Sequence, residues 1–169
     1  MTIPLLLLVL LAPAVGAVLL CFVPQERIAW VRRLSILATG SSLAGALSIA
    51  CSYDRAAGGY QFDVLVPWIE SLGIGFHLGV DGISATLVLL HAICAFCGVL
   101  ISYAINERIK EYYIFYLILI TGVFGVFTSL DLFFFYFFYE MAVIPMYPLI
   151  GIWGSDTKEQ GRVRFSKEY

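Results

Sequence analysis

Charge is what this chain of 169 residues has least of. Only 13% of its residues are Asp, Glu, Lys or Arg, where a soluble domain carries about 25%. An ordinary water-facing surface is therefore excluded. The net charge of −2 leaves no basic excess, so no nucleic-acid partner is expected. With 2 histidines and 4 cysteines, the chain shows no paired Cys/His spacing for a metal. A nucleotide-binding glycine loop and a catalytic triad are also missing. The cysteines, Cys21, Cys51, Cys94 and Cys97, lie within or at the ends of apolar runs, where a thiol behaves as a small hydrophobe. Cys94 and Cys97 have a redox spacing, but they sit inside an apolar segment without the strand and helix context that would support that role.

Apolar residues fill the gap, at 61% of the chain. Five runs, 3–23, 34–53, 82–103, 112–130 and 132–153, approach the roughly 20 residues that a helix needs to cross a bilayer. The expected fold class is an all-α integral membrane protein with five transmembrane helices. Residues 1–110 would hold helices one to three, with an external loop near 54–81. Residues 111–169 would hold helices four and five and a cytoplasmic loop. No Lys or Arg precedes the first run, which is long for a signal core, so it is read as a retained membrane helix. The second run is rich in Ser and Gly, which suits close helix packing.

Basic residues support this parse. Arg27, Arg32 and Arg33 would lie in the loop after the first run, Arg108 and Lys110 after the third, and Lys158, Arg162, Arg164 and Lys167 in the tail. With five spans, all of these fall on one side, and only Arg55 falls on the other. Positive residues mark the cytoplasmic side, so the N-terminus is expected outside.

In the external segment, Ala57-Gly58-Gly59 reads as a turn and 60–66 as a short, weakly alternating strand. Pro67-Trp68 suits a membrane interface. Ser129-Leu130-Asp131 is a tight hairpin that makes helices four and five neighbours. Asp81 and Asp131 can cap the third and fifth helices, because a carboxylate accepts from orphan N–H groups and complements the helix dipole.

Glu140 carries the functional expectation. It follows the aromatic run Phe133-Phe134-Phe135-Tyr136-Phe137-Phe138-Tyr139 and is the sole charge in 132–153. A carboxylate at mid-membrane costs roughly 3 kcal/mol on insertion scales. At about 1.5 Å per residue, Glu140 lies about 12 Å from Leu132, close to the midplane of a core about 30 Å thick. Carrying a proton or pairing a counter-ion justifies such a residue. Tyr136, Val143 or Ile144, and Tyr147 share its helix face and could form a polar pathway with it. Pro145 and Pro148 each remove a helical hydrogen bond. The carbonyls of Met141 and Ile144 then need water or another side chain. That fits a kink beside a hydrated cavity, or a purely structural kink with Glu140 satisfied by a neighbouring helix. His91, mid-run in the third helix, suits proton shuttling or a neutral hydrogen bond between helices. His77 reads as a surface residue. Tyr113, Tyr116, Thr121 and Thr128 are expected to face a partner helix, and Trp153 to mark the inner interface.

Two segments go beyond membrane physics. Phe76-His77-Leu78-Gly79-Val80-Asp81-Gly82-Ile83-Ser84 leads from the external loop into the third helix. Tyr139-Glu140-Met141-Ala142-Val143-Ile144-Pro145-Met146-Tyr147-Pro148-Leu149-Ile150-Gly151-Ile152-Trp153-Gly154 covers most of the fifth. Both resemble the M subunit of bacterial NADH-quinone oxidoreductase, respiratory complex I (subunit 4 in mitochondria). The first is shared more widely with antiporter-like subunits. The resemblance implies the N-terminal part, roughly a third, of a proton-pumping antiporter-like subunit of about fourteen spans built from inverted repeats. It implies that Glu140 is the proton-transfer residue and pairs with a lysine on a later, broken helix. It also implies that NADH, flavin, iron–sulfur clusters and quinone are bound by the rest of the complex, with no cofactor in this chain. The expected partners are the other membrane subunits of complex I and the lipid bilayer, in a bacterial inner membrane. Alternatives are a related subunit of a multi-subunit cation/proton antiporter or membrane-bound hydrogenase, or a non-pumping scaffold.

Overall fold

The five apolar runs become five helices in a computed structural model that describes residues 3–154. They are α1 (Ile3–Phe22), α2 (Ile28–Ser52), α3 (Gly82–Ile101), α4 (Ile109–Thr128) and α5 (Leu132–Trp153). Each is long and apolar enough to cross a membrane. The tail with Lys158, Arg162, Arg164 and Lys167 lies outside the described residues.

Two features differ from the sequence reading. First, α2 begins at Ile28, so Arg32 and Arg33 belong to its first turns and not to a loop. A long basic side chain can cover apolar surface while its head reaches a polar zone. Arg32 does so: its guanidinium donates to the carbonyls of Tyr103 and Ile105 at 3.1 and 3.3 Å and lies 4.7 Å from the Tyr103 ring centre. Second, the external segment of this mostly helical fold holds two strands and not one, paired as a β-hairpin. The expected strand is β1 (Gln61–Ile69), and β2 (Ile74–Val80) pairs with it antiparallel. The register slips between Gln61 and Val64. Phe62 sits in that bulge with a φ of 59°, its side chain 8% exposed. Burial of the ring offsets a backbone conformation that a bulky residue rarely adopts.

The core runs through α1 to α4. Leu6, Val9 and Leu20 of α1, Ile49 of α2, Val88 of α3, and Leu117 and Phe124 of α4 are fully buried. Small residues set the helix spacing. A Cβ on Gly16 would sit 2.7 Å from that of Ala38, and one on Gly45 would sit 2.8 Å from Val9 Cγ2. Beside that contact the Ser42 hydroxyl donates to the Val9 carbonyl at 3.1 Å.

One end of the bundle gathers the basic residues. There Arg32 reaches the end of α3, and Lys110 Nζ donates to the Cys21 carbonyl at the end of α1, at 3.0 Å. The hairpin occupies the other end, fastened to the α4–α5 turn: Leu130 N–H donates to the His77 carbonyl at 2.8 Å, and Gly75 N–H to Asp131 Oδ2 at 3.3 Å.

Candidate functional site

The helix that bears Glu140 is started by Asp131. Its Oδ1 accepts from the N–H groups of Phe133 and Phe134 at 2.9 and 3.1 Å. These bonds, Phe134 first, hold the Asp131 carboxyl below the usual carboxylate range, and the Gly75 amide adds to them. Asp81 caps α3 in the same way, accepting from Ser84 N–H at 2.7 Å, and its carboxyl is also held low.

From that start, α5 lies against α4 along Phe138, Ala142 and Pro145, its buried residues. Two glycines of α4 receive it. A Cβ on Gly122 would meet the Ala142 nitrogen at 2.6 Å, and one on Gly125 would meet Phe138 Cγ at 2.1 Å. At 100° per residue, Glu140 is about 200° from both Phe138 and Ala142. It therefore faces away from α4 and is exposed. Tyr136, Ile144 and Tyr147 share that open face, at 59%, 68% and 81% exposure. No described residue hydrogen-bonds or ion-pairs with Glu140. Pro145 and Pro148 lie within a single continuous helix.

His91 is elsewhere. It projects from α3 onto α4, with Nε2 3.3 Å from the Ile120 carbonyl and its ring edge-on to Phe124 at 4.6 Å. The structure thus joins Tyr136 and Tyr147 to the Glu140 face and sets His91 apart, in a second polar layer between α3 and α4. Tyr116 and Tyr113 donate there to the carbonyls of Ala95 and Val99, at 3.2 and 3.4 Å. Tyr112 and Ser102 share a hydrogen bond of 2.8 Å. Thr121 and Thr128 instead bond back to the carbonyls of Leu117 and Phe124 in their own helix. Trp153 Nε1 donates to the Glu107 carbonyl at 2.8 Å, tying the end of α5 to the loop before α4.

Sequence reasoning missed two polar groups. One is the Arg32 clamp, hidden because its charge was read as a loop signal. The other is the half-exposed pair of His77 and Asp63, 2.7 Å apart across the hairpin. Had β2 been read as a strand opposite β1, cross-strand pairing would have suggested it. Among the described residues, no cluster of three or more His, Cys, Asp or Glu could hold a metal.

No family model matches the chain. Subunit M of NADH-quinone oxidoreductase from Rickettsia felis is 28% identical over 152 residues, which cover 87% of this chain and 31% of the relative. NADH-ubiquinone oxidoreductase chain 4 of Arabidopsis thaliana is 33% identical over 147 residues, 86% of this chain and 30% of the relative. Among solved structures, respiratory complex I from Thermus thermophilus with bound NADH contains a chain 28% identical to this one. The match has a TM-score of 0.72 and covers 88% of this chain and 29% of that one.

The resemblance to subunit M is borne out.

The chain spans about a third of the length of the curated subunit M and chain 4 relatives it matches. A membrane-bound sulfane sulfur reductase, an archaeal respiratory membrane complex, has a chain with a TM-score of 0.70 that covers 85% of this chain and 22% of that one. At 17% identity it shows a shared fold only. The subunit M resemblance covers nearly all described helices, including the one that carries Glu140.

Proposed function

We propose that this chain is the N-terminal part of the proton-translocating subunit M of an NADH-quinone oxidoreductase, with Glu140 as its proton carrier. One observation carries the reading. The lone acidic residue of α5 lies about 12 Å along its span, on the face that α4 leaves uncovered and in line with Tyr136 and Tyr147. A carboxylate there can take and release a proton if a cation and a hydrated path approach that face. In this proposal, the cation is the lysine that the family resemblance implies on a later, broken helix. Quinone reduction in the rest of the complex changes that pairing and drives the proton between half-channels. The site is completed by protein outside the described residues, and the redox groups are held by other subunits.

The five-span order and the basic end support an N-terminus on the outer face of a bacterial inner membrane. Cysteines placed at 55 and 108 should label from outside and inside, respectively; the reverse pattern would refute that orientation. The function itself is tested by Glu140→Gln in the complete subunit. Proton pumping and coupled quinone reduction should fall sharply while the complex still assembles. An assembled Glu140→Gln complex that pumps at the wild-type rate rejects the role.

A further inference from the structure

The geometry points to a second feature, and we propose that the groove between α1 and α2 is a binding site for an anionic phospholipid. The groove is a shallow, open one of about 540 Å³. Leu11, Val15 and Leu19 form one wall and Leu37 the other, and the floor is the close contact of Gly16 with Ala38. Its α1 wall runs from Leu7 to Leu19, about 18 Å of helix. That slightly exceeds half of a hydrocarbon core about 30 Å thick, so it fits an acyl chain of a single leaflet.

The Leu19 and Leu34 end of the groove lies nearer the basic end of the bundle, and what stands there fits a headgroup. Trp30 and Arg33 lie one turn before Leu34 and Leu37 on the same face of α2. Side chains in a helix lean towards its N-terminus, so Arg33 is directed beyond Leu34, the first α2 residue of the groove lining, towards the basic end. Trp30 is 53% exposed, and its ring centre lies 6.0 Å from the Arg33 guanidinium carbon. Trp at a bilayer interface sits at headgroup level. Arg33 forms no ion pair with any described residue, unlike Arg108, which pairs with Glu111, and unlike Arg32, which is spent on the carbonyls of Tyr103 and Ile105. A guanidinium with no ion-pair partner among the described residues, beside an interfacial indole and above an apolar groove of about one-leaflet length, matches a phosphate-bearing lipid with net negative charge. A partner helix would have no acid to meet Arg33 unless it supplied one itself.

Native membranes containing the chain provide the test. They are loaded in parallel with phosphatidylglycerol or phosphatidylcholine, each carrying a diazirine in its acyl chain, then irradiated and mapped by peptide mass spectrometry. Phosphatidylglycerol should label the α1 and α2 peptides about fivefold more than phosphatidylcholine, the preference expected from one basic residue near the surface. Arg33→Gln should abolish the preference, Arg33→Lys should retain most of it, and Ser41→Leu, which fills the groove, should lower labelling by both lipids. Equal labelling by the two lipids in the wild type would mean ordinary annular lipid and overturn the site. So would absence of label from either, which would mean that protein covers the groove, or a preference that survives Arg33→Gln.

Discussion

Helices α4 and α5 are neighbours of similar length and hydropathy, yet 44% of one is buried in this bundle and 17% of the other. The polar side chains of α4 have partners: Tyr113 and Tyr116 reach carbonyls of α3, and Thr121 and Thr128 reach their own helix. The acid of α5 has none among the described residues. Apolar content alone therefore does not separate a span whose polar groups are satisfied within the bundle from one whose acid is left open. The separation lies in which polar groups are already satisfied, because an unsatisfied one in lipid is costly and persists where something else completes it.

The sharpest way to break this comparison is at the seam. Gly122→Val would place a side chain where the Ala142 backbone lies 2.6 Å away, so α5 must move off α4. A loss of about 3 kcal/mol is expected, at the upper end of ordinary overpacking. Thermal unfolding in detergent and the yield of assembled subunit would show it; an unchanged midpoint would mean that the two helices do not meet as described. A smaller effect separates the two faces. Tyr113→Phe removes a buried hydrogen bond and should cost about 1 kcal/mol, whereas Tyr136→Phe on the open face should stay within about 0.5 kcal/mol. Equal losses would erase the distinction between satisfied and open faces.

The smallest expected effect concerns the α5 cap. Bonds from Phe134, Gly75 and Phe133 hold the Asp131 carboxyl below its ordinary range. Its folded-state value is thus depressed relative to the unfolded chain. The stabilisation is complete above about pH 4, the ordinary Asp value, and is lost as pH falls through the folded value. Hydrogen exchange of the first turn of α5 should be faster in Asp131→Ala than in wild type at pH 7. The two rates, corrected for intrinsic exchange, should draw together as pH falls below about 4 and converge once it has passed the folded value. A constant difference across that range would show that the cap does not depend on its charge.

Much of this was legible in the residues. The spans followed from run length, and the Asp81 and Asp131 caps from their position before apolar runs. The shared face of Tyr136, Glu140 and Tyr147 followed from helical spacing. The start of α2 was not legible, because two arginines in the opening turns of a helix look the same as two in a loop until a carbonyl is seen to receive one. The second strand was hidden by Gly75 and Gly79, which break its alternation and are needed for contact. Gly79 has the Leu130 side chain 2.8 Å from where its Cβ would be. Nor could spacing say that His91 faces α4. Periodicity gives relative angles within one helix, and only packing fixes which neighbour each angle points to.

The three-residue corner between α4 and α5 acts as an indexing stop. Asp131 is held at once by the hairpin and by the first turn of the helix it begins, so the screw phase of everything downstream is set at that point. Adding or removing one residue there would turn the acid by about 100° and shift it by about 1.5 Å, sending it towards a different neighbour at nearly unchanged depth. Corner length thereby sets the facing of the carboxylate nine positions away.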